Sequence, residues 1–151
     1  MSEIVTAGIL VIGDEILSGR TKDKNIGFIA EYLTNIGIDL KEVRVVADDE
    51  ADIVDALNAL RNRYTYVFTT GGIGPTQDDL TRDIVAEVTG RKLVQDAGML
   101  EQVEGHFRRR GRPMTPNNLR QSYMPEGAIP VKNPNGTAPS FVVEDPRAVV
   151  F

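Results

Sequence analysis

Residues 5–13, Val-Thr-Ala-Gly-Ile-Leu-Val-Ile-Gly, are apolar almost without a break, short and rich in β-branched side chains. That is the pattern of a strand covered on both faces in a parallel sheet. The period then changes. Ile26, Ile29, Leu33 and Ile36 recur at helical spacing between Asn25 and Ile36, and Gly37 stands where a left-handed cap belongs. Ile38–Val46 reads as a second strand, Ala51–Arg61 as a helix with Ile53, Val54, Leu57 and Leu60 on one face, and Tyr64–Thr70 as a third strand. A third helix is expected over Gln77–Thr89, with Leu80, Ile84, Val85 and Val88 inward and Gly90 beyond its end. Strand and helix alternating in this way predict right-handed βαβ units, hence an α/β fold around a mostly parallel sheet.

The pattern loosens further on. Helix is expected over Ala97–Arg110, and Thr115-Pro116 opens a shorter one to about Ser122. Five of the eight prolines fall between 125 and 146, which predicts turns and short strands with an antiparallel edge. The chain stops on Ala148-Val149-Val150-Phe151, inside a strand-like run. Either this strand closes the sheet or the chain is cut from a longer parent.

Composition narrows the functional classes. The 151 residues suit one domain, and the absence of cysteine removes disulfides, thiolate metal sites and cysteine nucleophiles. No apolar run nears the roughly 20 residues of a membrane span, and there is no basic, cleavable leader, so the expected setting is cytoplasmic with no membrane partner. A net charge of −5 argues against nucleic acid. His106 with Arg108, Arg109, Arg110 and Arg112 reads as the solvated end of a helix, with an anion-receiving patch as the alternative.

The chemistry gathers after the predicted strands. Tyr66-Val67-Phe68 leads into Thr69-Thr70-Gly71-Gly72-Ile73-Gly74-Pro75-Thr76-Gln77-Asp78-Asp79-Leu80-Thr81-Arg82-Asp83, a glycine-rich strand-to-helix turn of the kind that brings backbone N–H groups against phosphate. Two acids in the first helical turn are out of place in a plain phosphate cradle. Acids also follow the first strand at Asp14-Glu15 and the second at Asp48-Asp49-Glu50. Taken singly, Asp48 or Asp49 caps a helix, and Thr76 with Asp79 makes a capping box. Taken together, three acid-bearing loops on one rim favour a divalent cation, Mg²⁺ or Mn²⁺ given oxygen ligands alone. Asp78 is either a ligand contact or a favourable charge at a helix start. Asn133-Pro134-Asn135-Gly136-Thr137-Ala138-Pro139-Ser140 is a pair of turns or the second wall of a pocket. The P-loop, dinucleotide and serine-hydrolase signatures are absent.

These residues are specific enough to carry a resemblance. Gly13-Asp14-Glu15-Ile16-Leu17-Ser18-Gly19, Asp23, Asn25, Asp48-Asp49, Thr70–Thr76 with Asp78-Asp79-Leu80-Thr81, and Asn133-Pro134 with Gly136-Thr137-Ala138-Pro139 resemble the molybdopterin-binding domain superfamily of MoaB/MogA type, and within it the CinA N-terminal branch. The likeness runs over nearly the whole chain. It implies a single domain over 1–151, a three-layer α/β/α sandwich, and a small phosphorylated ligand, pterin or nucleotide, over the glycine loop. The carry-over places Gly71, Gly72, Gly74, Thr76, Asp78, Thr81, Asn133, Gly136 and Thr137 at the ligand. Glu15, Asp48 and Asp79 become catalytic residues that hold Mg²⁺, Mn²⁺ or Co²⁺. Molybdopterin is implied by the cofactor-synthesis relatives, and metal-dependent hydrolysis of a nucleotide pyrophosphate such as ADP-ribose by the CinA-type branch. A homo-oligomer is expected. Ile73 where the synthesis enzymes carry threonine, and Asp78 where many carry arginine, favour the hydrolytic branch. Ser140 replaces a usual glycine, and a Leu-Pro-Gly-Val-Pro segment is missing after the last strand, so the pocket is expected to be incomplete.

Overall fold

The computed structural model describes residues 4–134, 138–144 and 147–150. A six-stranded sheet has the order β2 (Asp39–Val46), β1 (Thr6–Ile12), β3 (Tyr66–Thr70), β8 (Arg147–Val150), β7 (Ser140–Glu144), β6 (Ile129–Val131). β2, β1, β3 and β8 are mutually parallel, and β7 and β6 add an antiparallel edge. The parallel part and its helices confirm the α/β sandwich class.

β1 is central for the reason its sequence announces: Ala7, Ile9, Leu10, Val11 and Ile12 are all at most 2% exposed. Alternate residues serve opposite faces. Leu10 and Ile12 join Val67 of β3 and Phe141 and Val143 of β7 in one core. That core is closed by Ile53, Leu57 and Leu60 of α3 (Glu50–Arg63), Ile84 and Val85 of α4 (Thr81–Val88), and Met99 of α5 (Ala97–Arg110). α2 (Asn25–Asn35) covers the opposite face and buries Leu33. β4 (Leu93–Gln95) and β5 (Tyr123–Pro125) form a small antiparallel pair beside α4, with Met124 in the shared core.

Most expected elements hold to within two or three residues, and Gly37 and Gly90 take left-handed conformations with φ of 85° and 67°. Four details differ. α1 (Asp14–Leu17) and β4 are short elements without a readable period. The segment Pro116–Ser122 is a 3₁₀ helix. The third expected helix begins at Thr81, not Gln77, so Asp78 and Asp79 lie in the loop and the first-turn acid is Asp83. The reason is local. Thr76 donates from both its N–H (2.9 Å) and its hydroxyl (2.7 Å) to Asp79 Oδ2, closing a turn on itself that the helix does not extend. Arg108, Arg109 and Arg110 end α5 exposed, ahead of left-handed Gly111, with His106 half-buried beside Phe107. Among the described residues no helix is long and apolar enough to cross a membrane.

Candidate functional site

The carboxyl ends of β2, β1, β3 and β8 meet one rim. The β6–β7 connection returns to that rim, because Val131 pairs with Ser140 and Phe141 with Val150. The chain steps from β1 to β2 on one side and then crosses to β3 on the other. The loops after β1 and β3 therefore diverge at a topological switch point, where α/β sheets receive ligands.

The glycine loop is folded tightly into this crevice. Gly71 has φ 90°, and a β-carbon there would stand 2.1 Å from Ile12 O; Gly72 has φ 71°, and its β-carbon would stand 2.1 Å from Thr81 Oγ1. Thr81, fully buried, donates its hydroxyl to Gly71 O (2.8 Å) and its N–H to Gly72 O (3.0 Å). Thr81 thus shapes the turn from beneath instead of facing a ligand. Arg82 Nη2 donates to Ile73 O (2.7 Å), and Arg120 reaches Thr76 O (2.6 Å) and Asp79 O (3.4 Å). The carbonyls of Gly71, Gly72, Ile73, Thr76 and Asp79 are thus engaged from within. The N–H groups of Gly72, Ile73 and Gly74 meet no acceptor among the described residues.

The acids sit on the neighbouring loops. Asp14 and Asp48 are locked reciprocally: Asp14 N–H donates to Asp48 Oδ2 and Asp48 N–H to Asp14 Oδ1, both at 3.1 Å. Asp49, not Asp48, caps α3, accepting from Asp52 N–H at 3.2 Å. Asp48 is left to the rim. Partial burial raises its pKa above the usual carboxylate range against the pull of the Asp14 N–H, and the charges of Asp14, Glu15 and Asp79 add to the rise. Asp48 is therefore close enough to feel Glu15, Asp79 and Asp14. Glu15 folds back over Gly13, whose β-carbon position lies 2.6 Å from Glu15 Oε1, and Asp79 packs on Gly74. Among the described residues no three acidic or histidine side chains are gathered as a metal-holding group.

Of the other expected ligand residues, Asp78 is exposed, and Thr76 is committed to Asp79. Asn133 Nδ2 donates to Ala138 O (3.0 Å), bracing its loop. Gly136 and Thr137 lie outside the described residues.

Two cavities open beside the glycines. One of about 340 Å³ is lined by Glu15, Thr21, Lys22, Asp23, Lys24 and Gly71, among others, and so mixes cations with acids. A larger one of about 780 Å³ runs between α2 and β3 along Phe28, Tyr32, Tyr66 and Phe68. It meets the first at Asn25, Thr70 and Gly71 but is lined by no carboxylate; Glu15 lines the smaller space, and Asp48 and Asp79 line neither. Sequence reasoning missed Asp14 as a partner of Asp48, the lysines 22 and 24, and both arginines under the loop. Lys22 and Lys24 flanking Asp23 were legible as a charged loop. Arg82 was not, since arginine at the second position of a helix reads as solvated.

Residues 8–151 match the model of the probable molybdopterin binding domain. The chain belongs to this family. A competence-damage inducible protein of Halothermothrix orenii is 42% identical over 145 residues, which are 96% of this chain and 35% of that protein. One from Clostridium beijerinckii is 40% identical over the same share. The domain thus spans about a third of the length of the curated relatives it matches. Among solved structures, the protein CinA of unknown function from Thermoplasma acidophilum superposes with a TM-score of 0.86 at 32% identity, over 99% of this chain and 88% of that one. The molybdopterin biosynthesis enzyme MoaB of Thermus thermophilus gives 0.60 at 17%, over 97% and 80%, a likeness of fold. The domain is a molybdopterin-binding-family domain of CinA type.

Proposed function

We propose that this domain holds a phosphorylated heterocyclic ligand over the glycine loop and hydrolyses a nucleotide pyrophosphate of the ADP-ribose kind with a divalent cation. The observation that carries the reading is the row of N–H groups at Gly72, Ile73 and Gly74, which meet no acceptor among the described residues while the carbonyls of Gly71, Gly72 and Ile73 before them are taken. Such a row suits the oxygens of a bound phosphate. Lys22 and Lys24 add positive charge beside it.

The donor set suits a hard cation. Asp14, Asp48 and Asp79 each accept on a single oxygen, Oδ1, Oδ2 and Oδ2 respectively, which leaves the second oxygen of each for an ion. Mg²⁺ is commonly held by one or two carboxylates together with ligand phosphates, so a preformed three-acid cage is not required. Asp48 and Asp79 would hold the ion, with Glu15 beside them. When bound, it supplies charge neutralisation at the pyrophosphate. The chain's own part is to fix one phosphate on the loop amides and to present the acids that would carry the cation beside it.

Binding of a pterin phosphate without turnover is the second reading, favoured by the family and by the lack of a gathered three-acid group among the described residues. The two separate in one experiment. Protein incubated with ADP-ribose and Mg²⁺, Mn²⁺ or Co²⁺ should release AMP, and Asp48→Asn and Asp79→Asn should each abolish release. No AMP from the wild type with any of these ions overturns hydrolysis. Saturable heat on titrating a pterin phosphate would then carry the binding reading.

A further inference from the structure

We propose that Arg82 and Arg120 are positioning residues that set the polarity of the glycine–aspartate loop, turning its amides toward the ligand. The inference rests on the phosphate-binding reading above and names what builds that surface. In a trans peptide the C=O of one residue and the N–H of the next point opposite ways. Holding a carbonyl inward therefore aims the following N–H outward. Thr81 does this for the first peptides of the loop, taking Gly71 O and Gly72 O and so turning out the N–H groups of Gly72 and Ile73. Arg82 takes Ile73 O at 2.7 Å and turns out the N–H of Gly74. Arg120 takes Thr76 O at 2.6 Å and Asp79 O at 3.4 Å, and so directs the N–H groups of Gln77 and Leu80. Neither guanidinium has to touch a ligand to do so.

The two arginines reach the loop from different parts of the chain. Arg82 belongs to α4 and is 2% exposed; its Nε is buried without a partner, and burial lowers its pKa to about 10. A buried cation with an unsatisfied donor weakens the fold. A methionine would fill that space without burying a charge but would release Ile73 O, so the hold on that carbonyl is what the arginine adds. Arg120 comes from the 3₁₀ helix and lies 44 residues from Thr76 in sequence. It is also paired with Asp83 at 2.9 Å, with side-chain exposures of 30% and 43%. That ion pair is the competing explanation, in which Arg120 merely ties the 3₁₀ helix to α4.

Arg120→Gln and Asp83→Asn separate the two roles without emptying the core. Asp83→Asn deletes the charge pair and leaves the guanidinium free to hold the carbonyls. Arg120→Gln removes the carbonyl contacts as well. ADP-ribose affinity, measured by calorimetry with Mg²⁺, should fall about tenfold in Arg120→Gln, be partly restored in Arg120→Lys, and stay near wild type in Asp83→Asn. Amide hydrogen exchange at Thr76 and Asp79 of the unliganded chain, the loop N–H groups that have acceptors, should accelerate in Arg120→Gln and not in Asp83→Asn. Equal loss of affinity in both variants, or unchanged exchange in Arg120→Gln, overturns the proposal. If the wild type binds no ADP-ribose, the phosphate reading falls, while the exchange comparison still decides whether Arg120 holds the loop.

Discussion

Gly71→Ala tests the geometry on which the site depends, and Gly90→Ala provides its control. Both glycines are left-handed, with φ of 90° and 67°. A non-glycine residue in that region costs about 1–2 kcal/mol, and each substitution recovers about 0.4–1 kcal/mol by stiffening the unfolded chain. Those contributions are shared, so they cancel in the comparison. The surroundings are not shared. A β-carbon at Gly90 meets nothing within 4 Å, whereas at Gly71 it stands 2.1 Å from Ile12 O, a backbone atom that cannot swing aside.

Relieving that clash means parting the loop from the end of β1, two elements registered through Val11 and Thr70. Forced overpacking of this kind costs about 1–3 kcal/mol. Gly71→Ala should therefore be less stable than Gly90→Ala by about 2 kcal/mol, or about 4–8 °C in melting temperature for a chain of this size. Urea unfolding followed by circular dichroism measures it. Equal midpoints for the two variants would refute the close approach of Gly71 to β1, and with it the crevice that the glycine loop occupies.

Two further outcomes follow from the same geometry. Asp48 holds its proton more tightly in the folded than in the unfolded chain, mainly through burial and then through the neighbouring carboxylates. Ionising it therefore costs stability as pH rises from below the ordinary carboxylate range through the raised folded value. Asp48→Asn keeps an acceptor for the Asp14 N–H and should raise the urea midpoint at pH 7, with the gain fading in acid; a gain that grows on acidification would contradict the sign. Phe141→Ala, at a side chain with 0% exposure in the shared core, should cost about 3–5 kcal/mol in chemical unfolding. A loss below about 1 kcal/mol would mean that β7 is not packed over α4 and α5 as described.

The parallel half of the sheet was legible because burial on both faces leaves its mark in composition. β1 reads as an unbroken apolar run, and Val67 and Phe68 sit in another. The helices α2 and α3 were legible through their period. The start of α4 was not, because Thr76 and Asp79 satisfy the capping-box pattern while closing a turn that stops short of the helix. β4 and β5 pair through three residues each, too short for a period to show. The docking of β8 onto β3 is a pairing between strands far apart in sequence, which no local pattern encodes. At the site, the acid-bearing loops and the glycines were readable by their place after strands. What each acid does was not. Asp49 and Asp48 are equivalent as candidate caps in sequence, and only the α3 start assigns the cap to Asp49 and leaves Asp48 to Asp14.

The division of labour on the rim also explains how two acid-rich loops can border a surface suited to an anion. The loop after β3 offers hydrogen-bond donors because its carbonyls are drawn inward by Thr81, Arg82 and Arg120. The loops after β1 and β2 offer acceptors, since their backbone amides at Asp14 and Asp48 are already spent on each other. On the proposed reading a pyrophosphate would contact donors on one side and face carboxylates on the other. Without a cation the second side repels it, and without the ligand the cation has too few partners. Each would therefore raise the other's affinity by the same factor, as linkage requires. The carboxylates at Asp48 and Asp79 then serve less as a standing metal cage than as one half of a site that the ligand completes.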